Sequence, residues 1–384
     1  MQAKAREHGA LPLAGFLLAC LLAPAAAGGP GSAGMQILKT DLSPRALGMG
    51  GAFASIADDA YTMDYNPAGL GQMYMPEVSA MYSNGLEGAT LTNFVYAMPV
   101  PLPGFTGLSK PGAGLSLLMA DAGSFDLRLI GAGGAVTEKS YDAQKDMVLS
   151  FGYGEKVASD EVKSGKSEFN LDQYLGMNVK YVRSTMLEHY SASALAFDAG
   201  WLMMEPRLGL AAAVSLANLG GGLKYDSEST QLPSILRLGL SWQKPTVMDQ
   251  SLLLAAEADV YAAESRKSLR FGAEYNFEKV FSLRAGYRAM DDNGGITFGL
   301  GVHYEDVGID FATTSGGEVY NTSQVSLSWK FSNVRIQEKK KKMNFKDPPK
   351  TRDASKPAGV QPKPAQSRPS QQQKKTDSDF FWLY

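Results

Sequence analysis

From about residue 76 to 331 the chain alternates apolar and polar positions with a period of two, the repeat that sends successive side chains to opposite faces of a sheet. In "ILRLGLSWQK", Leu236, Leu238, Leu240 and Trp242 share one face, and Arg237, Gly239, Ser241 and Gln243 share the other. "LRFGAEYNFE" sets Leu269, Phe271, Ala273, Tyr275 and Phe277 against Arg270, Gly272, Glu274, Asn276 and Glu278, and "SLRAGYRAM" sets Leu283, Ala285 and Tyr287 against Arg284, Gly286 and Arg288. Segments begin near 76, 90, 112, 145, 173, 191, 206, 232, 250, 268, 280, 295, 306 and 321, which predicts about fourteen strands, or two more if 122 to 144 adds a hairpin.

Two packed sheets would give the same alternation with the apolar faces turned inward. Three features favour a sheet closed in lipid instead. The polar faces mix charge with Gly and Ala, as suits a lumen; aromatic residues such as Trp242, Tyr275, Phe277, Tyr304, Trp329 and Phe331 gather near strand ends; and minimal turns at Glu205-Pro206, Glu278-Lys279 and Glu305-Asp306 alternate with longer connections from 219, 290 and 315. Past residue 35 no apolar run is long enough for a transmembrane helix, so a membrane crossing requires a closed barrel. The predicted fold is all-β: a transmembrane antiparallel β-barrel of about fourteen strands over 76–331, an even number that leaves both ends of the barrel's chain facing the periplasm. The connections at 100 to 111 and 157 to 172 are long for periplasmic turns.

The chain ends frame this barrel. Lys4 and Arg6, the apolar run Leu11 to Ala23 and the small-residue stretch "APAAAG" read as a signal peptide over 1–27, with lipidation at Cys20 as the alternative reading. The protein is expected in the outer membrane of a diderm bacterium, after cleavage of that peptide. Among 384 residues Cys20 is the single cysteine, which leaves the mature chain without disulfides or cysteine-held metals. The net charge of −2 gives no reason to expect nucleic acid. Residues 332–384 hold 13 Lys or Arg against 5 Asp or Glu, a charge of +8, while the rest of the chain, with 24 and 34, carries −10. That basic, Pro- and Gln-rich tract is expected to be a disordered periplasmic tail. It is either a solvated tether or an anchor, with Lys339 to Lys342 meeting an acidic cell-wall or lipid surface and Phe380 to Tyr384 meeting a partner.

Residues 28–75 precede the first strand and are expected to enter from the periplasmic side as a hatch or plug filling the lumen. In "SPRALGMGGAFASIADDAYTMDYNPAGL", Gly48, Gly50 and Gly51 permit close backbone approach, Asp58 or Asp59 can cap a short helix or meet lumen arginines, and Asn66 can cap the turn Pro67-Ala68-Gly69. Leu47, Met49, Phe53, Ile56, Met63 and Tyr65 are the candidate lining of an apolar solute site. Arg237, Glu257, Asp259, Arg270, Glu274, Arg284 and Arg288 are candidate lumen charges, either binding a carboxylate head group or forming a satisfied network that holds the plug. His189 and His303 lack a second ligand at metal spacing and no Gly-x-Ser-x-Gly elbow occurs, so neither an enzyme nor a metal or cofactor site is expected.

The run "RALGMGGAFASIADDAYTMDYNPAGL" resembles the N-terminal signature of FadL-like outer-membrane proteins, in particular the PorV/PorQ and UPF0164 branch. That resemblance implies a fourteen-stranded barrel with an N-terminal hatch holding Asn66, Pro67 and Ala68, with Gly48 to Phe53 near the ligand path. It implies passage of hydrophobic small molecules such as long-chain fatty acids, and membership of the branch implies instead a partner in protein secretion. Besides the solute, the expected partners are outer-membrane lipid and, because an aromatic Phe331 closes the last strand, the outer-membrane assembly machinery.

Overall fold

In the computed structural model residues 29–332 are described, apart from residues 30, 86–87, 131–135, 165–166, 227, 246–249, 265, 292–293 and 316–320. The expected signal peptide and basic tail lie outside the described residues. In chain order the strands are β1 (Glu77–Asn84), β2 (Thr90–Pro99), β3 (Gly112–Asp121), β4 (Ser124–Ile130), β5 (Val136–Asp142), β6 (Gln144–Ser164), β7 (Ser167–Met186), β8 (Tyr190–Glu205) and β9 (Leu210–Gly220). They continue with β10 (Leu223–Tyr225), β11 (Glu228–Thr230), β12 (Ile235–Pro245), β13 (Ser251–Tyr261), β14 (Arg266–Phe277), β15 (Phe281–Ala289), β16 (Gly295–Tyr304), β17 (Val307–Ser315) and β18 (Ser323–Lys330).

Fourteen of these close into one antiparallel barrel, and the seam is β1 against β18, with Glu77 opposite Lys330. The chain therefore enters β1 and leaves β18 at one rim, called the near rim below; the opposite end is the far rim. The hairpin within 122 to 144 does exist, as β4 and β5, but it pairs only with itself and the barrel count stays at fourteen. A second separate hairpin, β10 with β11, stands at the far rim between β9 and β12. The stretch 157 to 172 is not a loop: β6 and β7 continue through it as paired strands of 21 and 20 residues. Their bulge at Lys156/Ala158 re-aims the hairpin where the wall ends. Tight turns close β14–β15 and β16–β17, with Glu278, Lys279 and Glu305 at positive φ of 48°, 61° and 52°.

The alternation has the sense of a membrane barrel. On β14 Leu269 and Phe271 are exposed while Arg270 and Glu274 are buried, and on β16 Phe298 and Leu300 are exposed while Thr297 is buried. Leu240, Leu283, Tyr287 and Leu327 are likewise exposed outward. Each such side chain left in water forgoes about 1.5–3 kcal/mol of transfer free energy, so a continuous outer band of this kind needs lipid as its solvent. No helix among the described residues is long and apolar enough to cross a membrane.

Candidate functional site

The N-terminal segment runs through the bore. Its described part begins at the far rim, not at the near one: the Gly34 amide donates to the Gln231 carbonyl (2.8 Å), and Lys39 pairs with the buried Glu264 at 2.8 Å. From there it descends to Pro76, whose carbonyl accepts from the Phe331 amide at the near rim (2.9 Å). These far-rim partners fix residues 34–39 at one end of the bore while the segment joins β1 at the other, so it spans the barrel from the strand-1 side to the far rim.

Two rows of inward-facing glycines receive the segment. Gly112, Gly154, Gly176 and Gly200 are register partners across β3, β6, β7 and β8. A Cβ at Gly154 would lie 2.6 Å from the Pro67 carbonyl oxygen, one at Gly176 would lie 2.5 Å from the Ala68 nitrogen, and one at Gly200 would overlap Asn66 Oδ1. On this pad sits the 3₁₀ turn Pro67–Gln72, capped by Asn66, whose Oδ1 accepts from the Ala68 amide (3.1 Å). Asn66 Nδ2 donates to the carbonyls of Ala54 (2.9 Å) and Trp201 (3.2 Å), tying turn to wall.

The second row is Gly272, Gly286 and Thr297, paired across β14, β15 and β16. It receives the short helix Pro44–Gly48 and the turn after it. Gly50 and Gly51 have φ of 69° and 86°, a region open to glycine at little cost, and a Cβ on Gly51 would strike Arg270. Thr297 Oγ1 accepts from the Gly50 amide (3.0 Å) and donates to the Gly48 carbonyl (3.1 Å).

Between the rows the charges pair. Arg284 bridges Glu274 and Asp310, both at 2.6 Å, and Arg45 bridges Glu274 (2.8 Å) and Asp58 (2.6 Å). Arg270 bridges Asp259 and Asp41, both at 3.1 Å, and Arg288 also reaches Asp41. Glu257 Oε2 accepts from the backbone amides of Phe53 (3.1 Å) and Ala54 (2.7 Å). Arg237 is looser: its Nε lies 4.0 Å from Glu257 and 3.9 Å from Asp259, without a hydrogen bond. All seven expected lumen charges therefore face the segment and are spent mostly on it and on each other. Asp41, Arg45, Lys180, Asp198 and Asp310 belong to the same set; the inward parity of the last three on their strands was the signal that could have found them. His303 faces Asp310 at 3.5 Å.

Burial pushes Asp59 up to about 7; Arg45 opposes the rise, while Glu77 and Asp58 add to it. Arg45 is shared among three carboxylates and cannot neutralise them all. Burial likewise raises Asp64 to about 6, against Lys180 and a hydrogen bond from Asn93. At Asp41 burial also pushes upward, but Arg288, Arg270 and Arg237 together hold the carboxyl below its ordinary range.

Open space lies elsewhere than at five of the six expected lining residues. Leu47, Met49, Phe53, Ile56 and Met63 are buried in the packing of the segment against the wall. Tyr65, edge-on to Phe53 at 5.2 Å, also lines a small void of about 20 Å³ with Thr40, Asp64, Lys180 and Arg237. Above it, at the far rim, is a chamber of about 520 Å³. Its apolar wall includes Met35, Ile37, Leu91, Ala120, Met186 and Tyr225, and Thr40 lines both spaces. Sequence reasoning missed this chamber because its lining comes from five strands, the segment and the β10–β11 hairpin, brought together only by closure. A third space, an apolar groove of about 610 Å³, lies near the other rim beside Phe169, Leu171, Leu208, Leu240, Trp242 and Leu254.

No family model and no curated protein matches the sequence. Solved structures do. The toluene transporter TbuX of Ralstonia pickettii is 12% identical with a TM-score of 0.50, the match covering 74% of this chain and 96% of that one. The toluene transporter TodX of P. putida (12% identical, TM-score 0.43) and a FadL homologue of Pseudomonas aeruginosa (11%, 0.43) each align with 74% of this chain and 97% of theirs. At such identities the likeness is one of fold: a closed fourteen-stranded barrel similar to that of the toluene transporter TbuX.

Proposed function

We propose that this protein is an outer-membrane conduit for small hydrophobic molecules, with residues 28–75 acting as a plug that must shift for solute to pass. The observation that carries this reading is the far-rim chamber of about 520 Å³, largely apolar and lined by residues within 31–40 together with the upper ends of β1, β2, β3, β6 and β7 and the β10–β11 hairpin. Its size falls in the range of pockets that enclose a small organic molecule. The near rim faces the periplasm on this reading, so the chamber opens toward the outside, and long-chain fatty acids are the solute class implied by the sequence resemblance. The test is uptake of a labelled apolar solute by cells or proteoliposomes. Leu91→Trp and Met186→Trp, which fill the chamber, are expected to lower uptake at least tenfold with the barrel still folded; unchanged uptake would reject the conduit.

A second reading, a secretion partner of the PorV kind, is favoured by one observation: the β6–β7 hairpin extends past the rim beside the apolar groove at Phe169 and Trp242. Photo-crosslinking from position 169 in intact cells is expected to trap an exported protein on that reading and lipid alone on the first.

A further inference from the structure

The head group that the chamber accepts is legible in its charges. Among the described residues lining it, the charged ones are Asp121 and Asp146, both acidic; no lysine or arginine lines it. Asp146 projects inward from β6 and is 6% exposed. Its carboxylate oxygens each accept from Gln144 Nε2 at 2.9 Å, and among the described residues no basic side chain pairs with it. Asp121 is different, partly exposed and 3.8 Å from Lys145. Gln144 Nε2 also reaches Ser184 (3.2 Å), and the Tyr225 phenol, which burial pushes up, is pushed further by the charge of Asp146. The buried cations Lys180 and Arg237 line the separate void together with Leu38 and Thr40, and Lys39 of the segment is paired with Glu264.

A buried carboxylate satisfied by one neutral amide is stabilised by an incoming cation and destabilised by an incoming anion, since Asp146 is itself largely shielded from water. The Tyr225 ring on the same wall adds a face that attracts ammonium. We infer that the far-rim chamber selects apolar molecules bearing a protonated amine and discriminates against the corresponding carboxylates, with Asp146 as the residue that reads the head group. The tail lies against Met35, Ile37, Leu91 and Met186, and the ammonium donates to Asp146 in place of water. This rests on the conduit reading above and narrows it from tail to head: a fatty acid would meet repulsion in this chamber while ionised.

The test uses the full chain in nanodiscs of zwitterionic phosphatidylcholine at pH 7.5, titrated calorimetrically with decylammonium, decanol and decanoate, with empty nanodiscs subtracted. The three ligands share a tail and differ in head. Decylammonium is expected to bind at least tenfold more tightly than decanoate, with decanol between them. Asp146→Asn should erase that difference and leave decanol unchanged. Decanoate binding as tightly as decylammonium, or an undiminished preference in Asp146→Asn, would overturn the assignment of the head group while leaving the conduit standing. Binding of none of the three above empty nanodiscs would remove both. Should the variant fail to fold, the comparison of heads on the unaltered chain still decides.

Discussion

Replacing Gly176 by alanine tests whether the glycine row truly seats the Asn-Pro-Ala-Gly turn. The new Cβ would overlap the Pro67 carbonyl and lie 2.5 Å from the Ala68 nitrogen, where ordinary contact begins at 3.4 Å. All these neighbours are backbone, so no flexible side-chain end can swing aside, and the turn must lift by about 1 Å. That lift carries Asn66 Nδ2 out of reach of the Trp201 carbonyl, now at 3.2 Å. Overpacking costs about 1–3 kcal/mol and the lost buried hydrogen bond about 1 kcal/mol, together about 2–4 kcal/mol. If the turn opens locally, exchange protection at the Ala68 and Gly69 amides falls roughly 30- to 1,000-fold. Hydrogen exchange with mass spectrometry on the reconstituted barrel reads this directly. Gly221→Ala is the control, since nothing lies within 4 Å of a Cβ there. Wild-type protection at residues 66–70 in Gly176→Ala would refute the docking argument.

Other outcomes follow from the same contacts. Asp59 has a folded value of about 7 against an ordinary 3.8. Both states hold the proton below 3.8; between 3.8 and 7 the folded state alone keeps it, so its contribution declines as pH rises and is gone above 7. Protection factors at residues 59–66, taken against the base-catalysed intrinsic rate at each pH, are therefore expected to fall from pH 5.5 to 8, and Asp59→Asn should flatten that fall. Arg284→Met leaves Glu274 and Asp310 buried with fewer partners and is expected to cost about 3–5 kcal/mol in urea unfolding, whereas surface Arg128→Met on the β4–β5 hairpin should cost under about 1 kcal/mol. Thr297→Val removes the contacts to Gly48 and Gly50 and is expected to lower protection at the Gly50 amide by about tenfold, with overall unfolding shifted by about 1–2 kcal/mol.

The barrel was legible because period-two alternation, turn chemistry and strand spacing are local. Strands begin at 90, 112 and 295 where the pattern placed them, and elsewhere within a few residues, the largest shift being at β7. Register was not legible, and the site depends on it. Gly154, Gly176 and Gly200 read individually as lumen-facing small residues; only pairing reveals that they form one row beneath Pro67. The charges divide likewise. Arg284 was visible as inward by parity, but its partners Glu274 and Asp310 lie 10 and 26 residues away. The stretch 157 to 172 misled because hairpin strands outside the lipid zone lose the strict apolar alternation and then read as loop.

The attachments of the segment are uneven, and that unevenness says where it can give. Residues 45–70 are held by buried ion pairs, by hydrogen bonds into Glu257 and by both glycine rows, so displacing them would strand several desolvated charges at once. Residues 31–40 are held by one ion pair, Lys39–Glu264, by the Gly34 to Gln231 hydrogen bond and by longer contacts of 3.4–3.5 Å at Ser32, Gln36 and the Leu38 carbonyl. Thr40 lines both the chamber and the void beside Lys180. The moving part should therefore be the upper span, with the lower span as its fixed base. A Cβ on Gly34 would lie 3.5 Å from Thr230 Cβ, within the range a disulfide spans. Gly34→Cys with Thr230→Cys is expected to crosslink without distorting the fold, to abolish uptake of the apolar solute when oxidised, and to regain it on reduction. Full uptake by the fully oxidised pair would show that solute passes with the upper span fixed, and the route would then have to lie through the barrel wall.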